Sequence, residues 1–317
     1  MTGLIIRHIE LQRVGSLIAS MEVQFYVITV ALVTLERGLF AYKWKILLAC
    51  KGINIPFWSM LKLYYISNFL GTFVPSTISV DVIRAYQLRK HTGNLVESVS
   101  SVVVDKVLSL LALLVLPLTS AVAYVRMGGD LRIILLLASL LVGFLVCLGI
   151  ASNRAIVDRL LRVGMTFSPR LADWFKVLHH SVLAYMAYKR TLSLIFVLSV
   201  IIQLSRVLGI VALGLGLGQQ ISMANYFIFV PIINLLVIIP MSVAGIGIQE
   251  GSFIYFFSQV DMLPSVAFTI SILSSLVVLF SVLPGGVFYL LQDVGVNDTS
   301  SAARNPAVDG APSKILQ

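Results

Sequence analysis

The sequence predicts an all-α, polytopic transmembrane helical bundle with two broken or re-entrant segments, laid out so as to admit an inverted repeat. Three observations predict it. Of the 317 residues, 58% are hydrophobic and only 12% are charged, with a mean hydropathy of +0.98, whereas a soluble domain carries roughly a quarter charged residues. Apolar runs of the length needed to cross a hydrocarbon core, about 20 residues each, recur along the chain. Two apolar stretches are interrupted: Asn68 to Leu88, NFLGTFVPSTISVDVIRAYQL, breaks at Gly71 and Pro75, and Asn234 to Gly251, NLLVIIPMSVAGIGIQEG, repeats that layout late in the chain. Paired interruptions in two halves point to a binding site built from broken helices.

In chain order, residues 1–22 mix Arg7, Glu10 and Arg13 into a helical apolar pattern and lack a long apolar core with a cleavage site. They read as an amphipathic interfacial segment rather than a signal peptide. The membrane domain is expected over 23–292, with spans near 23–42, 99–125, 131–151, 191–217, 224–243 and 264–292. The broken segments are 57–80 and 244–260. The loop 152–190 holds seven Arg and Lys against Asp158 and Asp173, which places it in the cytoplasm. Within it Leu171, Trp174, Phe175, Leu178, Val182 and Tyr185 recur at helical spacing, predicting an amphipathic interfacial or partner-docking helix. The polar residues 293–317 are expected to be disordered.

Charge fixes more than orientation. The formal net charge is +9 and the pI near 9.7, and in so apolar a chain this belongs to loops facing anionic lipid, not to nucleic acid. Two spans separate the 152–190 loop from Arg84, Arg89 and Lys90, which returns that cluster to the cytoplasmic side, where Lys43, Lys45 and Lys51 also fall. The segment between them is therefore read as re-entrant. Its freed backbone must be buried in protein or line a wet cavity.

Ionisable residues inside apolar segments are costly and by default functional. They are Glu36, Arg37, Lys62, Asp81, Arg84, Asp105, Lys106, Arg206 and Glu250. Asp81 and Arg84 share a helix face, and Ser76 opens that helix, where backbone N–H groups favour an anion. A local Asp81–Arg84 pair with Arg84 reaching to lipid is the competing reading. Asp105 and Lys106 are adjacent, so each needs a partner from another segment, as an interhelical tie or as a site group. Glu36 and Arg37 lie near Lys43 and Lys45 and read as interfacial, whereas Arg206 lies deep in its span and reads as cavity-facing. Gly245 and Gly247 allow close approach before Glu250, which either orients an intramembrane cation or pairs across a helix crossing. No P-loop, GxSxG or HExxH signature occurs, the four histidines fall outside the spans, and Cys50 and Cys147 lack metal or redox spacing. No cofactor and no metal are expected.

The run from Trp44 to Lys90, together with VVVDKVLSL and IIPMSVAGIGIQEG, resembles the transmembrane region of lysylphosphatidylglycerol synthases, a flippase-like membrane family. The likeness spans about Ala41 to Leu291. It is carried by Asn68 and Pro75 before Asp81 and Arg84, by the Asp105–Lys106 pair, and by Gly245, Gly247 and Glu250. Ser79 and Val80 stand where the family usually has two glycines, and Ala244 stands where it has another. The resemblance implies a multi-pass protein of the cytoplasmic membrane that moves or presents polar lipids, such as aminoacylated phospholipids or lipid-linked glycan precursors. Its implied partners are anionic or polyprenyl-linked lipids and a soluble envelope-biosynthesis enzyme. The fused aminoacyl-transferase domain of some members is not expected here. The reading favoured is a lipid translocase in which Arg84, Lys106 and Arg206 bind a lipid phosphate where the broken segments meet, with Asn68 and Asn234 nearby and Asp81 and Glu250 orienting the cations. A membrane-embedded glycosyl or phosphoryl transferase acting on a polyprenyl-linked substrate, and a scaffold for a soluble partner, stand as alternatives.

Overall fold

A computed structural model of the chain describes residues 11–74, 78–165, 169–238 and 247–301, with backbone only at 11–13, 160–165, 169–172 and 292–301. The described residues are helical, without strands. Helix α1 (Leu11–Ser20) is followed by the long α2 (Val23–Ala49), then by α3 (Phe57–Thr72) and α4 (Ser79–Thr92), which form the first broken segment. Next come α5 (Leu95–Leu118), the short α6 (Ala121–Arg126), α7 (Leu131–Ser152), and the loop helices α8 (Arg154–Met165) and α9 (Pro169–Ala184). The second half comprises α10 (Lys189–Gly216), α11 (Met223–Ile238), α12 (Ile248–Phe257) and α13 (Pro264–Ser301). Among the described residues five helices are long and apolar enough to cross a membrane: α2, α5 with α6, α7, α10 and the 264–291 part of α13.

Some of the expected boundaries shift. The first span does not end near residue 42 but continues to Ala49, because Lys43 is fully buried and the apolar pattern resumes behind it at Trp44, Leu47 and Leu48. Of the expected span 224–243 the structure describes 224–238. Its described part, α11, is a 16-residue helix, about 24 Å long, and it folds back onto α12. The rings of Tyr226 and Phe229 meet Phe257 at 5.1 and 5.5 Å. Hydropathy could not separate this hairpin from a span, because Ile228, Phe229 and Val230 are buried in protein and are as apolar as lipid-facing residues. At the chain's end α13 continues through Ser301, past the expected boundary at 292.

The two halves are built alike and run in opposite directions. In the first, α3 and α4 are an antiparallel hairpin between α2 and α5; in the second, α11 and α12 occupy the same place between α10 and α13. Helix α3 packs on α13 of the other half, and its counterpart α11 packs on α5. The axis of this exchange is the α2–α10 pair, which is antiparallel: Lys43 bonds Ser199, Glu36 bonds Arg206, and Thr29 bonds the Gly209 carbonyl. The described ends of the two hairpins, Gly71 and Ser79 in the first and Asn234 and Gln249 in the second, line one cavity. This arrangement is that of an inverted repeat.

Small residues let the hairpins pack closely. A side chain at Gly285 of α13 would strike the backbone carbonyl of Tyr65, and one at Gly286 would strike only the Phe69 ring. Replacing Gly285 with Ala should therefore cost about 1–3 kcal/mol, more than the same change at Gly286, where a ring can swing aside. Thermal denaturation in detergent would rank the two, and equal melting temperatures would contradict this account of the α3–α13 crossing.

The basic loop is tied to the bundle at one end. Ser181 of α9 donates to Glu97 at 3.1 Å and pairs with Ser100 at 2.9 Å, while Lys51 reaches the same carboxylate at 3.2 Å and stacks over the Tyr185 ring. Burial pushes the Tyr185 phenol above its ordinary range, with Glu97 acting in the same direction. The expected helix in this loop is α9. Its Ser181 and Val182, with Tyr185 just beyond its end, face the bundle, and Phe175 and Val177 are exposed.

Candidate functional site

Two clusters of charge lie within the bundle, and they differ in kind. The first joins α2, α4 and α5. Asp105 is paired with Lys43 at 2.8 Å and Arg84 at 3.1 Å. Arg84 also reaches Asp81 at 3.4 Å, and Asp81 holds Lys106 at 3.0 Å. Lys43 is completed by the hydroxyls of Ser109 and Ser199, and the Arg84 guanidinium lies 4.3 Å over the Trp44 ring. Three cations thus alternate with two carboxylates, and one end of the chain is buried: Lys43 at 0%, Asp105 at 2% and Arg84 at 4% side-chain exposure. Such a chain is a strut, because buried charges persist only where partners compensate their lost hydration.

This arrangement corrects the expectation that Arg84 and Lys106 meet a ligand in the cavity. Arg84 contacts Asp81 through Nη1 and Asp105 through Nη2. Adjacent Asp105 and Lys106 do find partners on other segments, as their opposed directions required.

The second cluster lines a cavity of about 540 Å³ between the two hairpins. Its wall includes Asn68, Gly71 and Thr72 from the end of α3, Ser79 and Val80 from the start of α4, Asn234 from α11, and Gln249 and Phe253 from α12. Glu36, Arg37 and Arg206 line it from α2 and α10. Arg206 donates from Nε and Nη2 to Glu36 Oε1, at 2.9 and 2.6 Å, and its side chain stays 35% exposed.

Arg37 is differently placed. It is 6% exposed and near the middle of the 27-residue α2. Its partners are neutral: Ser281 Oγ at 3.0 Å, Asn68 Oδ1 at 3.3 Å and Tyr64 Oη at 3.5 Å. Its buried Nε donates to no described atom. Among the described residues no carboxylate lies within ion-pair distance of it, and the undescribed stretches 75–77 and 239–246 contain no Asp or Glu. Two arginines against one glutamate leave the cavity with one uncompensated positive charge, in surroundings where water screens weakly.

On sequence alone Arg37 falls at the membrane edge, because a first span ending near residue 42 leaves it close to Lys43 and Lys45. The available signal was the apolar run Trp44 to Ala49 behind Lys43. Of the other candidates, Asn68, Asn234 and Arg206 line the cavity. Pro75, Ser76 and Gly245 lie outside the described residues. Gly247 adopts φ +88, which suits glycine, and its N–H donates to Glu250 Oε2 at 2.6 Å. Glu250 therefore caps its own helix instead of steering a cation.

The residues that replace the expected glycine pair also find an account. The Ser79 hydroxyl donates to the Gly71 carbonyl at 3.0 Å, and the Val80 side chain packs against the Gly71 Cα. The small residue that permits close approach sits on α3, so α4 need not supply it.

Among the described residues no cluster of three His, Cys, Asp or Glu is placed to hold a metal ion. The cavity can instead accept an anion of phosphate size, with Arg37 and the exposed edge of Arg206 as donors and Asn68, Asn234 and Ser79 as neutral polar neighbours.

Comparison with known proteins gives a family and nothing finer. No curated protein and no solved structure matches the chain. The model described as the lysylphosphatidylglycerol synthase TM region matches residues 1–286. With the five span-length helices and the hairpins they enclose, that match makes this chain a member of the lysylphosphatidylglycerol synthase TM-region family.

Proposed function

We propose that the protein is a lipid translocase of the cytoplasmic membrane, in which the cavity between the hairpins takes up the phosphate-bearing headgroup of a membrane lipid. The observation that carries this reading is Arg37, a buried cation at mid-bundle whose partners are all neutral. Holding such a charge in a low-dielectric site is unfavourable, and an anionic headgroup relieves it. The inverted hairpins supply the means of access: rocking one half against the other exposes the cavity to each leaflet in turn. The class of substrate is set by the phosphate ester, which aminoacylated phospholipids and lipid-linked glycan precursors share.

The test is headgroup movement in liposomes containing the purified protein and a fluorescent phosphatidylglycerol, read by quenching of the outer leaflet. Wild-type protein should move the label, and Arg37→Ala should not. Equal rates for the two would remove the basis of the proposal.

A further inference from the structure

A second cavity, of about 320 Å³, opens at the basic end of the bundle between α3, α4 and α13. Lys62, Gln87, His91 and Ser59 supply its polar wall, and Phe288 and Leu291 supply part of its apolar wall. No acid lines it, and among the described residues no carboxylate pairs with Lys62. His91 Nδ1 is engaged with the Gln87 carbonyl at 3.2 Å, which orients the ring and leaves Nε2 as its outer edge.

The cavity and the central one lie along the same two helices. On α3 Lys62 precedes Asn68 by six residues, and on α13 Phe288 follows Val282 by six, so both helices set the cavities about 9 Å apart. Between them lies the α3–α13 crossing, where Gly285 meets the Tyr65 carbonyl, Phe69 covers Gly286, and Tyr65 meets Phe288 edge-on at 6.0 Å. The mouth carries the residue types of a membrane interface. Trp58 and Tyr86 are exposed beside it, and Lys90 reaches over the Tyr86 ring, as aromatic and basic anchors do at headgroup depth.

We infer that this cavity is a second anion site, in which Lys62 and His91 take the phosphate of a lipid from the leaflet at the basic end before it passes the α3–α13 crossing. The inference rests on the translocase reading for the order of the two sites, but the binding itself stands apart from it. The exposed mouth and the flanking Trp58 and Tyr86 favour a lipid headgroup over a free anion.

Purified protein in detergent can be titrated with phosphatidylglycerol and the bound lipids counted by native mass spectrometry. Two tight binding steps are expected for wild type. Lys62→Gln with His91→Gln should weaken one step about tenfold while sparing the other, with melting temperature unchanged because both side chains are exposed. Arg37→Ala should remove the other step. A double variant that keeps both steps overturns the second site, whereas an Arg37→Ala protein that keeps both overturns the central-cavity reading instead. Inorganic phosphate at about 10 mM should leave both steps in place; displacement of the lipid at the Lys62 step would show a free-anion site and overturn the lipid assignment.

Discussion

Replacing Asp105 with Ala is expected to destabilise the bundle by about 3–5 kcal/mol, the cost of leaving buried charges without their partner. Asp105 alone among the described residues pairs with two buried cations, Lys43 and Arg84. Without it Lys43 keeps only the Ser109 and Ser199 hydroxyls, and Arg84 keeps only the longer contact to Asp81. Arg84→Ala should cost less, although Arg84 is equally buried. Its removal leaves two separate neutral pairs, Lys43 with Asp105 and Lys106 with Asp81, so the loss is mainly packing against Trp44. Thermal denaturation of detergent-purified variants orders the two, and an Arg84→Ala protein less stable than Asp105→Ala would refute the strut. It follows that failure of an Arg84 variant to move lipid cannot be assigned to headgroup binding without a stability measurement beside it.

The second large effect is on transport. Arg37→Ala should lower the rate of headgroup movement roughly a hundredfold, equivalent to about 3 kcal/mol for a charged hydrogen-bonded partner removed from a desolvated site. The fold should survive, because Arg37 makes only neutral contacts and no ion pair depends on it. Arg37→Lys keeps the charge but loses the planar fork that matches two phosphate oxygens, so it should fall between Ala and wild type. Glu36→Gln works in the other direction. It frees Arg206 from its carboxylate and raises the cavity charge from one to two, which should tighten headgroup binding and slow release. Tighter binding with slower movement in Glu36→Gln, together with loss in Arg37→Ala, would separate an electrostatic role from a packing one. If Arg37→Ala and Arg37→Lys moved lipid equally, charge recognition would be excluded.

Much of the architecture could be read along the chain because its causes are local. A bilayer demands long apolar helices, and Gly71 with Pro75 interrupts one wherever it sits. The re-entrant first hairpin followed from charge alone, since Lys51 and Arg84 to Lys90 flank it on one side. The second hairpin did not, because no charged residue lies between Arg206 and Glu250 to mark where the chain turns.

Composition and pattern therefore established a membrane bundle with two breaks and listed the ionisable residues within it, among them every charged member of both clusters except Lys43. Tertiary structure decided which of those charges neutralise one another. Asp105 meets Lys43 across 62 positions of sequence and Arg206 meets Glu36 across 170, and these meetings depend on helix rotation and antiparallel register, which no local pattern encodes. Arg84 became part of the frame and Arg37 the cation facing the cavity because carboxylates come within reach of the first and not of the second.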